Sequence, residues 1–384
     1  MAVGLYIHIP FCRQKCFYCD FPSGIGSEAL QEEYTEALCR EIAAQGSSLS
    51  GRTVATVYIG GGTPTALPDE LLAKILRALW AAFVFAADVE CTVEANPGTV
   101  TAEKLQLLRV LGANRLSFGV QSFDDALLRG IGRIHTGQEA VEAIALAKAA
   151  GFKNISLDLM YGLPGQALAD LEQSVKMALA QRVSHISIYG LQLEEGTAFA
   201  AWESQGKLVL PDEALTERMY DYMTEMLPAN GYERYEISNF AQKGFASRHN
   251  LGYWQDRPYI GIGAAAHSYD KKRRWRNTVD VSAYNRKIAA GQRVSEAEEV
   301  LSRRILMEEF CFLALRTKRG IPAAKFKEKF GCSLWAVYGE SIRQLQAREL
   351  LAVDGEQLYL TALGMKYGNI VFAEFLLDEE SPAK

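Results

Sequence analysis

Basic residues are the minority charge in this chain: 41 Lys and Arg stand against 46 Asp and Glu, a formal net charge of -5. That balance argues against generalised nucleic-acid binding, while leaving room for a local basic patch. Long apolar runs are lacking as well. No stretch is long enough to cross a bilayer and the N-terminus has no secretory h-region. A cytoplasmic protein without a transmembrane segment is therefore expected, with peripheral contact to a membrane protein still compatible. Cysteine is scarce and uneven, seven in 384 residues, which excludes a disulfide scaffold. Cys39, Cys91, Cys311 and Cys332 stand singly in helix- or strand-like segments and read as structural thiols.

The other three cysteines fall within eight residues, as Cys12, Cys16 and Cys19 in Tyr6-Ile-His-Ile-Pro-Phe-Cys-Arg-Gln-Lys-Cys-Phe-Tyr-Cys-Asp20. Thiolates at this spacing can hold three irons of a [4Fe–4S] cubane. Asp20 rather than a fourth cysteine follows, so one iron is left without a protein ligand. Fully cysteine-ligated clusters carry electrons, whereas an open coordination position allows a ligand to bind. A zinc site completed by His8 would use the same thiols, but it leaves the remaining motifs unexplained.

A chain of this length exceeds one core and predicts a large domain with a smaller one. Strand-like runs at Leu5–Ile9, Thr56–Ile59, Val89–Val93, Arg115–Val120, Asn154–Leu159 and His185–Tyr189 alternate with helical segments. The pattern predicts an α/β fold, a partial (β/α)6 TIM-like barrel over 1–210; a flat doubly wound sheet has the same periodicity. Residues 211–297 read as an extension of the barrel, with a helix and then short aromatic-rich segments. Residues 298–384 carry helices at Glu298–Leu315, Ala323–Phe330 and Gly339–Leu350. A hairpin turning at Asp354-Gly355 follows them, a winged-helix-like α+β arrangement. On an acidic chain this predicts a packing or lid role rather than DNA binding.

Parallel barrels gather chemistry at the C-terminal ends of their strands, and unusual residues occupy those ends here. Gly60-Gly-Gly-Thr-Pro64 exposes main chain to close approach. Glu94 can bind an ammonium group and Arg133 a carboxylate in a bidentate fork. Gln121 and Asp158 can hydrogen-bond vicinal hydroxyls. Together these complement every polar part of S-adenosylmethionine.

The Tyr-Ile-His-Ile-Pro-Phe-Cys-x3-Cys-x2-Cys segment and Gly-Gly-Gly-Thr-Pro-Thr65 strongly resemble the radical S-adenosylmethionine enzymes. More narrowly, the chain resembles the oxygen-independent coproporphyrinogen III oxidase group and its relative, the HemW-type haem chaperones. The resemblance runs through essentially the whole chain. It implies that Cys12, Cys16 and Cys19 ligate three irons, and that the amino and carboxylate groups of the cofactor chelate the fourth. Reductive cleavage of the sulfonium would then give a 5′-deoxyadenosyl radical. It implies further that Tyr6 and Tyr18 line the cofactor, and that Gly61, Gly62 and Thr63 hold its methionine part. Glu94 and Arg133 would bind the polar ends, Gln121 and Asp158 the ribose, and Gln192 the adenine side. No residue is assigned a catalytic role.

Three features separate the two branches. The oxidases have a further cysteine immediately beyond the triad, where this chain has Asp20, and an extension before the Tyr-x-His motif, which begins here at residue 6. Arg248-His-Asn-Leu-Gly-Tyr-Trp254 matches the His-Asn-x-x-Tyr-Trp signature of the chaperones. The resemblance thus implies a chaperone that binds haem as cargo and delivers it to an acceptor, such as a membrane-bound respiratory enzyme; a homodimer is compatible with it. The alternative is oxidative decarboxylation of coproporphyrinogen III. His249 is a candidate haem ligand and Tyr253 and Trp254 could stack on a macrocycle. A structural aromatic turn is the competing reading of that segment. His267 is a second candidate ligand. Lys271-Lys-Arg-Arg-Trp-Arg276 could pair with propionates, or form a solvated loop. His135 and His185 read as structural.

Overall fold

The protein is described over residues 2–377 in a computed structural model. Strands β1 (Val3–Ile9), β2 (Thr53–Gly61), β3 (Val84–Ala95), β4 (Arg115–Gln121), β5 (Asn154–Tyr161) and β6 (His185–Gly190) lie side by side in chain order, each parallel to the next. An order that never turns back is that of a barrel wound in one direction; a doubly wound sheet reverses at its switch point. Helices Glu28–Ser48, Asp69–Ala82, Ala102–Val110, Gly137–Ala149 and Leu168–Ala180 fill the crossovers. Local sequence starts them: Thr136 and Glu139 form a reciprocal capping box before Gly137–Ala149.

The two faces of these strands differ in chemistry. Leu5, Ile7, Ile9, Ile59, Leu116, Phe118, Val120, Leu157 and Leu159 are fully buried and join Tyr34, Leu38, Leu72 and Leu76 of the helices in one core. Alternate positions carry Tyr58, Glu94, Arg115, Ser117, Ser156, Asp158, His185, Ser187 and Tyr189, which face a cavity inside the barrel. Parallel strands usually read as continuous apolar runs because both faces are covered by carbon. Here period-two polarity marks a barrel whose interior is kept for a ligand.

The region after residue 211, expected to extend the barrel, adds to this sheet through strands that its sequence did not announce. β7 (Glu233–Arg234) and β8 (Asn239–Ala241) add antiparallel strands beyond β6. On the other side β9 (Tyr259–Ile262) pairs parallel with β1. β10 (His267–Tyr269), β11 (Arg273–Asn277) and β12 (Ser295–Val300) follow outward, giving a twelve-stranded open sheet. Two expectations are corrected. The helix expected from Glu298 begins at Arg303, because Ser295–Val300 is the edge strand, blunted by Glu296, Glu298 and Glu299. The basic run at 271–276 enters strand β11 rather than a loop. Arg273 there pairs with Asp270 and Glu298, and Arg274 with both oxygens of Glu309 at 2.8 and 2.9 Å.

Beyond it, helix Arg303–Leu315, β13 (Ile321–Pro322), helices Ala323–Phe330 and Leu334–Ala347, and strands β14 (Leu351–Asp354) and β15 (Gln357–Leu360) build a separate winged-helix-like unit. Its antiparallel sheet has the order β13-β15-β14, and Met307, Leu315, Phe326, Ile342, Leu358 and Phe375 form its own core. Main-chain bonds fasten it to the barrel, from Ile237 N to Arg316 O at 3.1 Å and from Lys318 N to Tyr235 O at 3.0 Å. Lys366 adds ion pairs to Asp221 at 2.7 Å and Glu217 at 2.9 Å. Among the described residues, no helix is long and apolar enough to cross a membrane.

Candidate functional site

The cysteine loop leaves β1 at Ile9 and is closed at its neck. Cys12 N donates to Gly24 O and Gly24 N to Pro10 O, both at 2.9 Å, and Phe11 is buried with its ring edge-on to Tyr34. Lys15 Nζ donates to the carbonyls of Phe21 and Ser23 at 2.7 and 3.1 Å. Phe17 is wedged against Phe199 and Trp202. Anchored on these sides, the loop holds Cys12, Cys16 and Cys19 half-exposed and unpaired. Cys12 Sγ accepts from Thr63 Oγ1 and Cys16 Sγ from Arg133 Nη1, each at 3.6 Å. Among the described residues no three Cys, His, Asp or Glu side chains converge on a single ion, and a cubane needs no such convergence, since each thiolate meets its own iron. His8 is unsuited to join the thiols. Its Nε2–H donates to Pro22 O at 2.9 Å and its Nδ1 accepts from Tyr6 OH at 3.0 Å.

The glycine run fits β2 against this loop. Gly62 N donates to Ile9 O and Thr63 N to Phe11 O, both at 2.8 Å. A Cβ at Gly62 would lie 2.7 Å from Phe11 O, and one at Gly61, whose φ is +109°, would lie 2.4 Å from the His8 ring. The glycines are therefore required by the protein's own packing as well as by any ligand.

Below the loop opens a cavity of about 1150 Å³ lined by Tyr18, Cys19, Asp20, Glu94, Asp158 and Gln192 among others. Glu94 accepts from Tyr58 OH at 2.7 Å and from Gly61 N at 3.0 Å, so each oxygen keeps a lone pair for another donor. Burial raises its pKa, and a cation beside it would restore its charge. Arg133 donates to Gly119 O and to Cys16 Sγ, while its buried Nε has no partner. Burial works against this guanidinium's charge, but Tyr18 and Cys16 outweigh it and hold its pKa above the ordinary value. Gln121 has φ +67°, a strained conformation for a residue with a Cβ. Its Oε1 accepts from Tyr189 OH at 3.1 Å. Asp158 accepts from Ser117 Oγ at 3.3 Å, and burial, reinforced by the Glu94 charge, pushes its pKa up to about 7. Tyr6 stacks near Tyr58 with ring centroids 6.3 Å apart. Gln192 is exposed at the cavity edge.

Sequence reasoning missed the floor of this cavity. Arg115 is only 1% exposed and makes no ion pair among the described residues, although Glu94 and Asp158 share its field. His185 bridges Ser156 Oγ at 2.7 Å and Tyr235 OH at 2.8 Å. The available signal was the alternation Arg115-x-Ser117, Ser156-x-Asp158 and His185-x-Ser187-x-Tyr189 along otherwise apolar strands.

The haem candidates do not gather at one place. His249 lies in helix Arg248–Trp254, not in a turn, and is 3% exposed. Its Nδ1 meets Thr56 Oγ1 and its Nε2 meets Tyr253 OH, both at 2.9 Å, and its ring stacks on Tyr58 at 5.2 Å. Burial lowers its pKa to about 3. With both nitrogens engaged, His249 would have to give up one of these hydrogen bonds to ligate an iron. Tyr253 is tied to it and lies edge-on to Tyr259. Trp254 faces away, toward a second cavity, with the Arg316 guanidinium 4.5 Å over its ring. His267 is exposed on β10.

This fold and this loop-and-cavity arrangement define a radical S-adenosylmethionine protein: the family model of the radical SAM superfamily matches residues 6–178, and that of the HemN C-terminal domain matches 301–366. Such a domain implies a [4Fe–4S] cluster and S-adenosylmethionine. The solved structure of coproporphyrinogen III oxidase (HemN) from Escherichia coli has the same fold, with a TM-score of 0.86 over 98% of this chain and 90% of that one at 22% identity. The haem chaperone HemW of Lactococcus lactis is 40% identical across 97% of both chains. That of Bacillus subtilis is 40% identical across 97% of this chain and 98% of its own. The chain belongs to the HemW haem-chaperone family.

Proposed function

We propose that this protein is a haem carrier built on a radical S-adenosylmethionine barrel, which binds haem and passes it to an acceptor protein. The observation that carries this reading is the full-length likeness to relatives named haem chaperones. Asp20 supports it, standing on the cavity rim where the oxidase branch has a further cysteine. A membrane-bound respiratory enzyme is the acceptor class we favour, met by peripheral contact.

The residues present suit the implied cofactors. Cys12, Cys16 and Cys19 would hold the cluster. The unpartnered Arg133 Nε and the spare lone pairs of Glu94 are complementary to a carboxylate and an ammonium group. Gly61, Gly62 and Thr63 would flank the methionine part, Tyr6 and Tyr18 would line it, Gln121 and Asp158 would take the ribose hydroxyls, and Gln192 the adenine side. When bound, cluster and cofactor together supply one-electron cleavage of a sulfonium. The chain's own part is to orient the bound groups, as the half-buried Tyr58, Glu94 and Asp158 on the cavity wall would do.

Anaerobic reconstitution tests this reading. The wild type should bind about four irons and four sulfides per chain, as one cubane requires, and should titrate with haem to a saturable Soret band. Cys12→Ala should lose the charge-transfer absorption. Glu94→Gln should weaken S-adenosylmethionine binding about tenfold, the cost of one charge-assisted hydrogen bond. Wild-type protein that decarboxylates coproporphyrinogen III and binds no haem would replace this reading with the oxidase.

A further inference from the structure

The second cavity, about 1630 Å³, is a groove between the outer face of the barrel and the C-terminal unit. It exceeds the roughly 300–1000 Å³ of ordinary small-ligand pockets. Aromatic faces wall it: Tyr220 and Trp254 from the barrel side, Phe310 and Tyr359 from the C-terminal unit. Arg257, Lys318, Arg319 and Lys325 line it, and none of the four has an ion-pair partner among the described residues. Of its four acids, Asp221 is paired with Lys366 and Asp256 with Lys329, while Glu233 and Asp354 have no ion-pair partner among the described residues, so the unpaired cations outnumber the unpaired acids four to two. On a chain of net charge -5, a cluster of unpaired cations around an aromatic slot is a local departure.

The groove adjoins the barrel cavity. The Arg316 guanidinium stacks on Trp254, and the Trp254 Nε1–H and Arg316 Nε–H donors are both buried without an acceptor. Arg316 lines the barrel cavity and Trp254 the groove, so this pair is part of the wall between them. Tyr220, Met365 and Lys366 line both.

We propose that this groove seats a planar tetrapyrrole bearing two carboxylates, its ring between the aromatic walls and its carboxylates toward Arg257, Lys318, Arg319 and Lys325. This rests on the haem-carrier reading and gives it a location outside the cofactor cavity. No His or Cys lines the groove, so recognition is through ring faces and carboxylates rather than a histidine–iron bond.

The test uses full-length, cluster-loaded protein titrated with haem and with metal-free protoporphyrin IX. Three variants of exposed side chains are combined, Lys318→Glu, Arg319→Glu and Lys325→Glu. A control carries Arg40→Glu, Arg77→Glu and Lys153→Glu, exposed cations in segments that contribute no residue to the groove. The wild type should bind both porphyrins with similar affinity. The groove variant should lose about tenfold or more for each, with cluster absorption and S-adenosylmethionine binding unchanged, and the control should stay close to wild type. Haem binding that survives in the groove variant, falls equally in the control, or is absent for the metal-free ring overturns the site while leaving the carrier reading intact. Failure of the wild type to bind haem overturns the carrier reading itself.

Discussion

At the scale of the residue, two side chains deserve separate tests because the barrel treats them in opposite ways. Asp158 is an acid whose pKa is raised to about 7 by burial and by the Glu94 charge. Its folded value lies above its unfolded one, so its contribution to stability is full below about pH 4 and is lost as the pH rises through about 7. Asp158→Asn fixes the neutral form. The margin by which the cofactor-free variant exceeds wild type in thermal unfolding should be small near pH 4 and larger near pH 8, while S-adenosylmethionine binding falls because a carboxylate acceptor is gone. An equal margin at both pH values would show that Asp158 is not desolvated. His249, by contrast, is fully satisfied by Thr56 and Tyr253. His249→Gln should cost about 1–3 kcal/mol in urea unfolding, the range for a disturbed buried hydrogen bond, and leave the haem stoichiometry unaltered. A lost Soret band in a folded variant would restore it as a ligand.

At the scale of the element, the account rests on how β1, its cysteine loop and the end of β2 lock together. Gly62 lies against the carbonyls of Phe11 and Ile9, where a Cβ would come within 2.7 and 2.8 Å. Gly62→Ala should therefore displace the loop, lowering iron incorporation while the far-ultraviolet dichroism stays native. Gly130→Ala, where a Cβ meets nothing within 4 Å, is the matched control. Full iron loading in Gly62→Ala would contradict the close fit. The triad was legible from sequence because metal spacing is a local property of the chain. The six parallel strands were legible because each carries a run of apolar residues between helical segments. Strands β7 to β12 were not. Several have two to four residues, too short to show a period. The basic run around Arg273 looked like solvated loop because the acids that pair with Arg273 and Arg274 within it include Glu298 and Glu309, distant in sequence.

At the scale of the whole molecule, the C-terminal unit contributes part of the wall of the barrel cavity. Met365 through Ile370 line the cofactor cavity, and Lys366 ties them to Glu217 and Asp221. The sequence predicts a closing helix after Leu363 and a packing or lid role for the unit, but not which residues reach the cavity, because that is set by what they pack against and not by their own pattern. The polar interior was half legible for the same reason: Glu94, Gln121 and Asp158 could be named at strand ends. Arg115 and His185 became interpretable only once six strands were brought round a common axis. Haem transfer tests the central claim most directly. Haem-loaded protein is mixed with membranes containing haem-depleted respiratory enzyme, and the Soret absorption of the two fractions is followed after separation. The carrier account predicts that haem leaves the soluble fraction and appears as holoenzyme in the membranes. Haem retained by the protein, or entering equally well with a haem-binding protein from outside the respiratory system in its place, would contradict it.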